Sequence, residues 1–247
     1  DVNFIPQFPG EVNFFGADNF HTLGLTDTNV YGVVFSSNEL YQIYDINFGA
    51  SCSLRKNVRS NIAGQAAIIK KISGTVQEDY LNIRDISIIG GVSFITDNGI
   101  NLGNVTNWTI NSSIANTLYW VGGTGNWSEP DHWSTSSGGP YPSGNTCLPT
   151  DVDNVFFDAN SFTAPGQTIT INTFASCKNM NWTAVTNNPT LANSWPSELN
   201  IFGSLTLVPG MTYNFTSSVY FRSANPGNTI TTAGLTLNST IYFDGAG

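Results

Sequence analysis

The feature that most limits what this chain can fold into is a two-residue alternation that never runs far before it is broken. Apolar side chains recur two apart at Tyr44/Ile46/Phe48, Leu81/Ile83, Ile86/Ile88, Val92/Phe94 and Ile100/Leu102. The same spacing continues at Ile169/Ile171, Met180/Trp182, Leu199/Ile201, Leu205/Leu207, Tyr213/Phe215, Val219/Phe221, Leu235/Leu237 and Ile241/Phe243. Each pair places two side chains on one face of a short strand and a small polar residue on the other. Gly, Asn, Pro or Ser closes nearly every run, as at Pro209-Gly210, Asn225-Pro226-Gly227 and Ala233-Gly234. No segment carries a 3.6-residue apolar stripe, so the chain is expected to be all-β.

Repetition narrows the choice among β architectures. Leu205-x-Leu207, then Tyr213-x-Phe215 and Ser217-Ser218, parallels Leu23-x-Leu25, Tyr31-x-Val33 and Ser36-Ser37. Leu235-x-Leu237 returns 30 residues after the first pair, with Ile241-x-Phe243 behind it. Short strands returning every 20–30 residues suit the stacked coils of a parallel β-helix or solenoid, each coil covering its neighbour. A β-sandwich with repetitive turns is the alternative. Composition supports a stack: Asn 30, Thr 27 and Ser 24 make up about a third of the 247 residues, and only 10% are charged, against roughly a quarter in ordinary domains. Asn and Thr at coil corners would form ladders of side-chain hydrogen bonds. A net charge of −9 and a pI near 4.3 argue against nucleic acid as a partner, because phosphate counterions could not be displaced.

A boundary is expected at 111–117, where Asn111-Ser112-Ser113-Ile114-Ala115-Asn116 reads as a linker. Residues 1–116 and 117–247 would then be separate units. The second opens on Tyr119-Trp120-Val121-Gly122-Gly123-Thr124-Gly125-Asn126-Trp127, with Trp133 close behind. Indoles packed on glycine-rich backbone would cap the open end of a stack. The competing reading is a carbohydrate platform using Trp127 and Trp133, with Asp131 and His132 as polar contacts. Both chain ends look cut from something longer.

Other candidate chemistry is sparse. Asp151, Asp153 and Asp158 lie within eight residues and could hold calcium, which takes six to eight oxygens; turn closure is the competing role. Arg55, Lys56, Arg59, Lys70, Lys71 and Arg84 are six of the eight basic residues and are expected on one solvated outer face. A lyase-type use of that cluster would need nearby acids, which are few. His21 and His132 stand in unrelated contexts, with no nucleophile motif beside either. No enzyme is expected. Cys52, Cys147 and Cys177 include no C-x-x-C pair, so a zinc ribbon or redox motif is excluded. A Cys147–Cys177 disulfide is one reading and buried thiols the other. No run of 18 apolar residues is present, so no helical membrane span is expected.

Several longer motifs are similar to known modules. Y-W-V-G-G-T-G-N-W-S-E-P-D-H-W-S-T-S-S-G-G (119–139), C-L-P-T-D-V-D-N-V-F-F-D-A-N-S-F (147–162) and C-K-N-M-N-W (177–182) resemble the start of repeat modules in giant Bacteroidota surface adhesins. L-R-K-N-V-R-S-N-I-A-G-Q-A-A-I-I-K-K-I-S-G-T-V (54–76), D-Y-L-N-I-R-D-I (79–86) and G-N-V-T-N-W-T-I (103–110) resemble the close of such a module. The best-known members are like the gliding-motility adhesin of flavobacteria, exported by type IX secretion. The resemblance implies a fragment out of phase with the repeat: 1–116 closing one module and 117–247 opening the next. It further implies a secreted, cell-surface stalk or fibre on the outer-membrane exterior. Partners would be adjacent modules of the chain, the secretion and motility machinery, and an external surface or polysaccharide. It supplies no catalytic residue.

Overall fold

The computed structural model describes residues 2–3 and 9–245. The chain is an all-β parallel solenoid of about 11 turns with 44% of its residues in strands. Among the described residues the only helical element is a 3-10 turn, Pro130–His132. The chain forms two compact units, Asp1–Ser113 and Ile114–Gly247, dividing inside the 111–117 stretch.

In the first unit every coil contributes one strand to a six-stranded face: Val2–Asn3, Asn19–Gly24, Leu40–Asn47, Ala67–Lys70, Ile86–Ile89 and Val105–Thr106. A second face holds Thr75–Asp79, Ser93–Asp97 and Trp108–Ile110. The third holds Gly10–Phe14, Val30–Phe35, Lys56–Ser60, Leu81–Arg84 and Ile100–Asn101. All neighbours are parallel and, apart from a register shift between Gly10 and Glu11, in register, so like sits on like: Val12, Val33, Val58 and Ile83 stack inward on the third face. Val76, Phe94 and Trp108 do so on the second. The Trp108 indole N–H donates to Thr96 Oγ1 at 3.0 Å. This is the reason for the alternation: each inward residue is covered above and below, and only a closed coil can satisfy three faces at once.

The second unit repeats the plan more regularly. Its first face carries Thr117–Trp120, Asn154–Phe156, Asn179–Asn181, Leu205–Thr206 and Ile230–Thr231. Gly125–Asn126, Thr168–Ile171, Thr190–Asn193 and Thr212–Asn214 form the second. Phe174–Cys177, Glu198–Ile201, Ser218–Phe221 and Ile241–Phe243 form the third. Phe157 stacks on Trp182 with ring centroids 3.8 Å apart. One register differs from expectation. Leu205 stacks on Ile230, not on Leu235, and Leu235 and Leu237 pack only partly buried against the core. The step from Leu205 to Ile230 repeats the 25-residue step from Met180 to Leu205, so the 30-residue Leu-x-Leu spacing does not follow the coil.

The corner ladders expected from composition are present. Asn179 Nδ2 donates to Asn154 Oδ1 at 2.6 Å, and Ser204 N donates to Asn179 Oδ1 at 2.6 Å. Thr229 N then donates to Ser204 Oγ at 3.0 Å, and every step spans 25 residues. In the first unit Asn82 Nδ2 donates to Asn57 Oδ1 at 3.0 Å, and Asn57 Nδ2 to Glu11 Oε1 at 3.3 Å. The second of these bonds skips the intervening coil. Gly32 occupies that rung, and a Cβ there would lie 2.2 Å from the Asn57 carbonyl oxygen.

Coil length varies while strand pairing does not. Thr117 pairs directly with Asn154, and the long excursion between them carries the 3-10 turn and Trp133–Ser134 before rejoining the stack. Trp133–Ser134 pairs antiparallel with Thr117–Trp120, at the edge of the first face.

Candidate functional site

The Trp/Gly segment is built as a plug. Trp120, Trp127 and Trp133 are all fully buried. Trp133 packs edge-on against Trp127 at 4.6 Å and Trp120 at 5.1 Å. Two of the indole N–H groups find carbonyls: Trp120 Nε1 donates to Gly123 O at 2.7 Å and Trp133 Nε1 to Trp127 O at 3.1 Å. His132 stacks flat on Trp120 at 4.3 Å. Gly125 is needed for close approach, since a Cβ there would sit 2.0 Å from His132 Nε2. With no ring face reaching solvent, Trp127 and Trp133 form no saccharide platform. Asp131 is exposed and its Oδ1 accepts the Gly144 N–H at 3.3 Å.

The three aspartates serve as turn residues. Asp153 is buried; its Oδ1 accepts Asn116 N at 2.6 Å, and its Oδ2 accepts Thr150 N and Oγ1, each at 2.7 Å. Asp158 accepts Asn160 N at 2.9 Å and Ser137 Oγ at 2.5 Å. Asp151 lies half-buried in the turn between Thr150 and Asp153. Among the described residues, no three His, Cys, Asp or Glu side chains converge to hold a metal.

The basic residues do not form one solvated face. Lys56 is fully buried, on the inward side of its strand, and its ammonium donates to the carbonyls of Asp27, at 2.7 Å, and Val30. Desolvation pulls its pKa down, with Asp27 opposing the shift. Lys71 and Arg84 are also buried. Arg59 grips Glu11 through three bonds, Nε to Oε1 at 3.1 Å and to Oε2 at 3.2 Å, and Nη2 to Oε2 at 2.5 Å. Arg55 Nε donates to Asn82 Oδ1 at 2.9 Å, extending the Asn ladder. A long aliphatic stem can line a core if its head finds carbonyls or carboxylates, and the alternation alone does not reveal those partners.

The Cys147–Cys177 bridge, one of the two readings of the cysteines, is not formed. Cys177 is a free thiol, fully buried on the inward side of its strand. Burial pushes its pKa far above the ordinary range, with Asp153 adding to the effect. Its side chain packs into the core beside Ile201, where the strand register holds it.

Two features escape sequence reasoning. Burial pushes the Glu78 carboxyl up to about 7; the Phe48 N–H it accepts at 3.3 Å pulls the other way, and Asp45 and Asp79 push up further. Trp195 is 79% exposed, whereas the other five tryptophans are at most 7% exposed. Nothing in Ser194-Trp195-Pro196-Ser197 distinguishes that indole from the buried ones, except that it lies outside any alternating run. No family model, characterised protein or solved structure matches this chain.

Proposed function

We propose that the chain is a structural and adhesive segment of a very large cell-surface protein, forming part of an extended stalk used in attachment or gliding motility. The observation that carries this reading is the 25-residue corner ladder, in which each coil supplies the hydrogen-bond acceptors of the next. A stack propagated by nearest-neighbour bonds suits length and stiffness, and its stability grows coil by coil. The low fraction of charged residues, 10%, suits a long surface that stays inert toward most polymers. Secretion through a type IX system, a position outside the outer membrane and the module resemblance belong to the same proposal. The work would be mechanical, with adjacent modules and the motility machinery as partners, and no catalytic step is assigned.

Immunogold labelling of intact source cells with antibody to this chain tests it. Filamentous surface label, lost on deleting the gene together with attachment or gliding, is expected. Label confined to the cell interior would overturn it.

A further inference from the structure

We infer that the coil corner at Trp195 is a binding site for a neutral carbohydrate chain, with the indole as its stacking face. A tryptophan left 79% exposed keeps a large, flat, amphipathic ring in water, the kind of face that stacks on a sugar ring. The corner that carries it is firmly held. Pro196, the next residue, is buried. Ser194 N donates to Ile171 O of the preceding coil at 3.0 Å. Asn193 braces the loop in two directions: its Nδ2 donates to Ser197 Oγ at 3.2 Å, and its Oδ1 accepts Thr216 N at 2.8 Å. Ser217 Oγ donates to Ser197 O at 2.5 Å from the following coil. The indole is therefore presented by a loop pinned to the coils on both sides, which lowers the ordering cost of binding.

The residues of this loop and of the coil corner bonded to it bear on the ligand. Asn193, Ser194, Ser197, Thr216 and Ser217 are all uncharged amides and hydroxyls. A sugar ring matches that mixture, with an apolar C–H face for the indole and hydroxyls for the rim. The net charge of −9 disfavours acidic polysaccharides. The inference is independent of the stalk reading, because a chain can bind sugar at one corner whether or not it forms a filament.

The test uses the full chain and acrylamide quenching of tryptophan fluorescence, since Trp195 is the exposed indole. Laminarin, mannan and chitohexaose serve as neutral probes, together with an array of neutral glycans, and polygalacturonate is the acidic comparison. At least one neutral glycan is expected to shield the quencher-accessible fraction saturably. Trp195→Ala, with unchanged circular dichroism and melting temperature, should remove that fraction and weaken retention on the same glycan at least about tenfold. Trp195→Tyr, which keeps a stacking face, should stay within about threefold. The proposal is overturned if no neutral glycan protects the indole, or if Trp195→Ala retains full binding. Tighter binding of polygalacturonate would overturn it too, as would a concentration-dependent self-association that Trp195→Ala abolishes.

Discussion

Replacing Asn179 by Ala removes the central rung of the second unit's corner ladder. Two hydrogen bonds go at once: the 2.6 Å donation to Asn154 Oδ1 and the 2.6 Å acceptance from Ser204 N. A lost side-chain bond costs about 1 kcal/mol, and a backbone N–H left partly buried without an acceptor costs about 1–3 kcal/mol. The expected loss is about 2–3 kcal/mol, or a melting temperature lower by about 5–10 °C for a unit of this size. Asn179→Asp separates the two bonds. It keeps the acceptor for Ser204 N, and Asn154 can turn its amide to donate, so it should cost below about 1 kcal/mol near neutral pH. Tryptophan fluorescence during thermal or urea unfolding is the assay, since Trp120, Trp127, Trp133, Trp182 and Trp195 all lie in that unit. The ladder argument fails if Asn179→Ala melts within about 1 °C of the parent, or if Asp and Ala variants are equally unstable.

Further outcomes follow from other residues. Glu78 is more basic folded than its ordinary 4.5, so the folded state holds the proton more tightly. Stability should therefore be fullest below about pH 4.5 and fall as pH rises through about 7. Linkage caps the loss at about 3 kcal/mol, and solvent screening at this partly exposed carboxyl leaves about 1 kcal/mol. Glu78→Gln keeps an acceptor for Phe48 N and should flatten that slope in urea titrations across pH; an unchanged slope would contradict the assignment. Trp133→Ala should cost about 3–5 kcal/mol by emptying the centre of the plug, and a variant as stable as the parent would show that the packing there is dispensable. The Cys177 thiol should resist Ellman's reagent until denaturant opens the second unit, and rapid labelling of native protein would contradict its burial. Because Asp153 and Asp158 are occupied by protein donors, chelation should move the melting temperature by less than about 1 °C; clear stabilisation by added calcium would restore the metal reading.

Much of the fold was legible because a solenoid imposes one local rule on every coil. Ile169/Ile171 and Val219/Phe221 announce strands by alternation, and the abundance of Asn and Thr anticipates the ladders at Asn154/Asn179 and Asn57/Asn82. What alternation does not encode is which rungs stack. Leu235-x-Leu237 spells the same pair as Leu205-x-Leu207, yet the coil keeps its 25-residue step and Ile230 takes the rung. Polar heads are similarly opaque: Lys56 goes inward because two carbonyls wait at the coil corner, and those carbonyls have no side-chain signature. The tryptophans invert naive expectation for the same reason. Trp127 and Trp133 look like a sugar platform by spacing but are closed into the plug by the returning Trp133–Ser134 strand. Trp195, one residue before a buried proline, is the indole left outside.

The direct pairing of Thr117 with Asn154, despite the long excursion between them, separates two kinds of position under selection. Strand rungs are constrained from both neighbours, so a substitution or deletion there propagates along the column. Excursions are constrained where they leave and re-enter and wherever they pack into the core, as Trp120, Trp127 and Trp133 do, but not along their exposed stretches. Insertions between those points can lengthen, fold back or exchange sequence while every neighbouring coil keeps its partners. Such a chain can diversify its outer loops rapidly on an unchanging spine, and differences among related surfaces should accumulate at exposed stretches such as 135–147.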